Sequence, residues 1–142
     1  MKVLVTGGAG FIGSHVVRAL VERGDAVRVL DNFFSGQRGN LTKVEAEIVE
    51  GDIVDADCVR RAMTGMTHVI HLAALVSVPR SVAEPLNSNA VNVTGTLNVL
   101  VAARDLGLQR VVFASSSSIY GEAFAGPKRE DLALYPLSPY GV

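Results

Sequence analysis

Tryptophan is absent from this chain, cysteine occurs once, and aromatic residues make up only 6% of its 142 positions. A single cysteine, Cys58, cannot build an internal disulfide framework. That removes the small stapled secreted folds, suits a reducing compartment, and leaves Cys58 to act as buried filler. Charge of one sign is lacking too: 13 basic residues stand against 14 acidic ones, a formal net charge of −1. The balance makes no electrostatic case for a nucleic acid or an anionic membrane as partner. No apolar run approaches the ~18 residues that span a bilayer, and Met1–Lys2 leads into a strand pattern rather than a signal peptide. A soluble cytoplasmic protein is the expectation. Repeats and low-complexity tracts are missing as well. What is present is 49% apolar residues, enough at this length to bury the core of one domain over 1–142.

Glycine is plentiful, and its placement near the start carries the most chemistry. Lys2–Val3–Leu4–Val5–Thr6 is a β-rich run that enters Gly7, Gly8, Gly10 and Gly13, with Phe11 and Ile12 opening an apolar helical pattern. The stretch satisfies Gly-x-Gly-x-x-Gly from Gly8 and Gly-x-x-Gly-x-x-Gly from Gly7. Strand, glycine turn and helix together form a pyrophosphate site. One glycine permits the tight turn, one lets backbone approach the phosphates, and one lets helix pack on strand. The helix then offers unpaired N–H groups and its positive dipole end. A glycine cluster alone also marks an ordinary loop, but the flanking strand and helix agree with the dinucleotide reading.

Further along, Ser14 to Arg23 carries Val16, Val17, Leu20 and Val21 at helical spacing, and Gly24 stands where a C-terminal cap belongs. Ala26 to Leu30 reads as a buried strand ending in Asp31, eighteen residues past Gly13. An acid near ~20 residues from the glycine turn accepts hydrogen bonds from the adenosine ribose and repels a 2′-phosphate, favouring NAD over NADP. The alternative is a strand-end acid that caps its own loop. Arg38, in the polar loop that follows, is of a type that welcomes a 2′-phosphate, but Asp31 sits at the more diagnostic place. Val44 to Val49 forms a third strand, after which Asp52 either contacts the adenine amino group or simply starts a helix. Asp55 is an N-cap for a helix over Ala56–Met63, with Val59, Ala62 and Met63 turned inward.

His68 to Leu72 is a fourth strand opening onto Ala73 and Ala74, small residues that admit a flat cofactor or serve plain packing. His71 reads as a satisfied strand histidine, since no second metal-type ligand lies at a suitable spacing, and no metal site is expected. Ser77 to Glu84 is a polar loop. Pro85 opens a long helix to about Leu106, closed by Gly107. Within that helix Asn92 and Asn98 compete with the backbone, and one of them is expected to face solvent. Arg110 to Ala114 is the fifth strand. Its end, Ser115–Ser116–Ser117–Ser118, is either a flexible loop or the active edge of the sheet; Glu122 to Val142 reads as loop. Strands alternating with helices require a parallel sheet covered on both faces, and right-handed crossovers make it a Rossmann-type doubly wound α/β fold.

Several of these stretches, taken together, resemble the extended short-chain dehydrogenase/reductase family. They are Thr6 to Gly13, Asp31–Asn32, Gly51–Asp52–Ile53, His71 to Ala74, Asn92 with Gly95–Thr96, Ser115 to Gly121, and Pro139–Tyr140–Gly141. Within that family the chain is most similar to the nucleotide-sugar epimerases that act on UDP-glucose and its N-acetylhexosamine relatives. The resemblance runs the whole length of the chain. It implies an NAD site lined by Gly7, Gly10, Gly13, Phe11, Ile12, Asp31, Asn32, Asp52, Ile53, Leu72, Ala73, Ala74 and Asn92. It implies Ser116 and Tyr140 as the catalytic serine and tyrosine, with Ser77, Arg80, Ser81 and Ser117 toward the UDP-sugar, and a homodimer built on the long helix.

The same resemblance implies a lysine one helical turn after the tyrosine, whereas this chain ends at Val142. The C-terminal part of the fold, including the substrate-binding lobe, is therefore expected to be missing, and the 142 residues alone are expected to be inactive. In the family, tyrosine takes the proton of the sugar C4 hydroxyl while hydride passes to NAD, and a 4-keto sugar turns over before hydride returns. Related dehydratases carry acidic residues where this chain has Ser117 and Ser118, which favours epimerisation over NAD-dependent dehydration or reduction. A non-catalytic dinucleotide-binding module is the reading from outside enzymology.

Overall fold

The computed structural model describes residues 1–122 and 126–142. Five strands form one sheet: β1 (Lys2–Thr6), β2 (Ala26–Asp31), β3 (Glu47–Glu50), β4 (His68–His71) and β5 (Arg110–Phe113). Their spatial order is β3-β2-β1-β4-β5 and every pairing is parallel. The expected doubly wound sheet is thus present. The order reverses between β1 and β4, so the chain crosses from one half of the sheet to the other next to the glycine turn.

β1 is central because it can be buried on both sides. Val3 and Val5 face α1 (Phe11–Glu22) with Val17, Leu20, Val27 and Val29. Leu4 faces the opposite layer with Leu30, Val69 and the inner sides of α2 (Ala56–Met63) and α5 (Thr96–Asp105). The period-two alternation of a strand splits one run between two cores. Each fully buried leucine or valine contributes roughly 1.5–3 kcal/mol relative to exposure. Val59, Ala62 and Met63 are buried as expected, and Cys58 is free and buried beside them.

The helix ends follow their local chemistry. Asp55 caps α2 by accepting from the amides of Asp57 and Cys58. Gly24, at φ +87°, closes α1: its amide reaches Val21 O and that of Asp25 reaches Leu20 O. Gly107 closes α5 in the same way. Both are left-handed caps that a glycine adopts without a Cβ penalty.

α1 begins at Phe11, where the apolar helical pattern opens, so the helix starts inside the glycine turn. Other boundaries differ from expectation. β3 begins at Glu47 rather than Val44, because Lys43 is left-handed at φ +65° and the Ala46 amide bonds Val44 O, bending the chain away from the sheet. The expected loop over 77–84 contains α3 (Val78–Ala83), started by Pro79 in its first turn and by Ser77, whose hydroxyl accepts from the Arg80 amide. The long helix from Pro85 is also not uniform. α4 (Pro85–Asn89) passes into a π-helical stretch, Ala90–Gly95, before α5. Residues 126–142 carry no helix or strand, in line with the loop reading; 123–125 of that loop lie outside the described residues. The Tyr135 amide bonds Ile119 O, which folds this tail back toward the sheet edge.

Candidate active site at the carboxyl edge of the sheet

A cleft of about 430 Å³ opens at the carboxyl ends of β1, β2 and β4. Its floor is the glycine turn. Gly7 is left-handed at φ +69°, and a Cβ there would lie 2.7 Å from the Ala73 amide nitrogen. Gly13 lies so close to the turn that a Cβ would meet Gly7 O at 2.1 Å. A Cβ on Gly10 would press against Gly7 O at 3.3 Å and meet no other atom. The glycines thus divide the tasks that the motif assigns to them: turn, close approach, and helix packing. Gly10 is the N-cap of α1 and no side chain caps that end. The first amides of a twelve-residue helix therefore face the cleft, beside Phe11, Ile12 and Gly13 in its wall.

Asp31 ends β2 only 7% exposed. Its carboxylate accepts from the amides of Ala9 at 2.9 Å and Phe33 at 2.8 Å, tying the glycine turn to the loop after β2. Capping and ligand binding were alternatives in the sequence; the geometry permits both, since each oxygen retains a lone pair and Asp31 lines the cleft. Beside it, Asn32 Nδ2 donates to Asp52 Oδ2 at 2.8 Å, and Asp52 Oδ1 accepts from the Val54 amide. Ile53 is buried with its side chain against Gly95, while Asn32, Asp52 and Ile53 all border the cleft. Arg38 stacks 4.2 Å over the Phe33 ring and pairs with Glu50, outside the cleft wall.

A buried polar chain fixes the opposite wall. Thr6 Oγ1 accepts from the amides of Leu72 and Ala73, leaving its proton for His71 Nδ1 at 2.6 Å. Thr96 donates to Asn92 O, so at 3.0 Å it accepts from His71 Nε2–H. His71 is therefore neutral with its proton on Nε2. It is 1% exposed, and burial pushes its pKa down to about 4. The satisfied-histidine reading holds. Asn92 continues the chain: its amide accepts from the Leu75 N–H at 2.8 Å and donates to Leu75 O at 3.2 Å. It stands behind the wall that Leu72, Ala73, Ala74 and Leu75 present, rather than in the wall itself. Neither helix asparagine is given over to solvent: Asn98 Nδ2 donates to both Ile53 O and Val54 O at 3.0 Å.

At the far end stand Ala114, Ser115 and Tyr140. The tail brings Tyr140 there, its amide donating to Ser81 Oγ at 3.1 Å. Ser116 is set back from the wall. It caps the 3₁₀ turn Ser117–Tyr120, accepting from the Ser118 amide, and Ser117 lies within that turn. The expected substrate-facing groups are not brought together. Ser81 is fully buried with its hydroxyl committed to Val78 O and the Tyr140 amide, and Ser77 is spent as a helix cap. Arg80 pairs with Glu84 and stacks 4.9 Å over Phe34. The sequence reading missed Phe34, Ser35 and Gly36, which complete the wall beyond Asp31. Gly36 lies close to the end of β2, where a Cβ would stand 3.0 Å from Asp31 Oδ1.

Three features of this cleft fit a dinucleotide: an uncapped helix start over a glycine cradle, a carboxylate at the second strand end that repels a 2′-phosphate, and small residues at the fourth. Comparison with known proteins agrees. The family model of the NAD-dependent epimerase/dehydratase family matches residues 3–142. UDP-glucose 4-epimerase of Lactobacillus helveticus is 43% identical over 143 residues, covering 99% of this chain and 43% of its own length. The Thermus thermophilus UDP-glucose 4-epimerase in complex with NAD superposes with a TM-score of 0.92 at 46% identity, over 99% of this chain and 46% of that one. The Thermotoga maritima UDP-glucose 4-epimerase with UDP-glucose gives 0.92 at 40% identity, over 99% and 47%. This chain spans less than half the length of these relatives. With the glycine cradle, the carboxylate at the end of β2 and the parallel sheet all in place, the chain belongs to the NAD-dependent epimerase/dehydratase family.

Proposed function

We propose that this chain is the NAD-holding part of a cytoplasmic enzyme that inverts C4 of a UDP-sugar, either UDP-glucose/UDP-galactose or the N-acetyl analogues. One observation carries the reading: the uncapped start of α1 and Tyr140 border the same cleft. The similarity to UDP-glucose 4-epimerases supports it. NAD, when bound, supplies a reversible hydride acceptor. The amides at the start of α1 hold the pyrophosphate, and Asp31 accepts from the adenosine ribose. Tyr140 takes the proton of the C4 hydroxyl as hydride leaves C4, and gives it back when hydride returns to the other face of the 4-keto sugar. Ser116 helps to hold the reacting oxygen, which requires its hydroxyl to leave Ser118 when substrate arrives. The dehydration alternative lacks an acid, because Ser117 and Ser118 occupy the positions that would need one. The enzyme works as a homodimer built on the exposed apolar stripe of the long helix.

Incubating the full-length protein with UDP-glucose and with UDP-N-acetylglucosamine, and following the products by NMR, tests the reading. The C4 epimer is the expected product. A dehydrated 4-keto sugar would overturn epimerisation, and failure of the 142-residue chain to bind NAD in calorimetry would overturn the cofactor role.

A further inference from the structure

We infer that Asn98 is a positioning residue for the adenine end of the cleft, setting the aim of Asp52 from α5; this rests on the NAD reading above. Past the Gly51 amide, which donates to Asp31 O at 3.0 Å, the segment between β3 and α2 has no ladder partner, yet it carries Asp52 and Ile53 into the cleft wall. Asn98, on α5, is half-buried and spends both amide hydrogens on it, donating to Ile53 O and Val54 O at 3.0 Å each. The Val54 amide in turn donates to Asp52 Oδ1 at 2.9 Å. Gly95 completes the seat, because only a residue without a Cβ lets Ile53 lie against the helix.

With Asn32 holding the other carboxylate oxygen at 2.8 Å, Asp52 is gripped from two sides. Each oxygen keeps a lone pair directed outward, the acceptor that an adenine amino group needs. Loss of Asn98 frees the two carbonyls to turn toward water, and the peptide unit that orients Asp52 turns with them. The helix itself does not suffer, since alanine is the better helix former.

The test compares NAD with nicotinamide hypoxanthine dinucleotide, which carries a carbonyl where adenine carries its amino group. The unaltered 142-residue chain should bind NAD about tenfold more tightly, the worth of one hydrogen bond to a charged acceptor. In Asn98→Ala the affinity for NAD should fall about tenfold and the preference for NAD should shrink to less than about threefold. Asn98→Asp, which keeps the shape but loses the donors, should behave alike. A preference unchanged in a folded variant overturns the inference. So does an equal loss for both dinucleotides, or collapse of both variants on thermal melting, since each assigns Asn98 to general packing. An unaltered chain that binds both dinucleotides equally overturns the aim of Asp52. One that binds neither overturns the cofactor reading instead.

Discussion

Asp31 does two jobs with one carboxylate: it joins the glycine turn to the next loop and offers the remaining lone pairs to the cleft. Replacing it separates the two. Asp31→Ser leaves the Ala9 and Phe33 amides short of an acceptor, a loss of about 1–3 kcal/mol, and removes the charge that repels a 2′-phosphate. Urea unfolding should show the first effect; competition between NAD and NADP should show the second, as a shift toward NADP. His71 gives a pH dependence of definite sign. Its folded pKa, near 4, lies below the ordinary 6.5, so the unfolded chain binds the extra proton. Stability is full above about pH 6.5 and declines as pH falls toward 4, by about 3 kcal/mol in all. Asp25 is separable. Its carboxyl, lowered by the hydrogen bond from the N-terminal ammonium and by Arg23, loses its contribution progressively as pH falls below about 5. Urea midpoints measured between pH 7 and about 5 therefore follow the histidine before this carboxyl titrates.

The long helix is the element that organises both walls. Asn92, inside the π-helical stretch Ala90–Gly95, grips Leu75 beyond β4, and Asn98, just after it, grips Ile53 and Val54 beyond β3. One extra residue in a helix rotates everything beyond it by about 100°, so the wide turn sets which faces the two asparagines occupy. π-Turns recur at functional sites, and here the turn backs the cleft. Gly95, at its end, gives the element its prediction. In an exposed helix Gly→Ala gains up to about 1 kcal/mol. Here a Cβ would stand 2.7 Å from two atoms of Ile53, so Gly95→Ala should instead destabilise by about 1–3 kcal/mol. Chemical denaturation reads the sign.

Across the whole molecule, apolar surface collects on the outer side of this helix: Leu86 is 87% exposed, Val93 57% and Leu97 56%, with Leu100 exposed further along. Such a stripe is what the proposed dimer would cover. Leu97→Asp together with Leu100→Asp should convert a dimeric full-length enzyme to monomer in analytical ultracentrifugation, with NAD binding per chain retained. Sedimentation of the unaltered full-length protein as a monomer would remove the dimer from the proposal. Among the described residues, no helix is long and apolar enough to cross a membrane.

The glycine spacing, the acid at the end of β2, the Asp55 cap and the alternation of strand with helix are local or periodic. A linear chain displays them, so the doubly wound sheet and the cofactor side of the cleft were legible in it. Other features depend on partners distant in the chain. Ser81 meets the Tyr140 amide across 59 residues, and Asn98 meets Val54 across 44. No periodicity announces such pairings, which is why the sequence left an asparagine to solvent and did not place Ser81 beside Tyr140. Residue type and spacing by themselves determined the glycine cradle and open helix start to which the proposal assigns the dinucleotide. Tertiary packing alone decided which polar side chains spend their hydrogen bonds inside the protein, because a buried donor takes whatever acceptor the fold brings within about 3 Å.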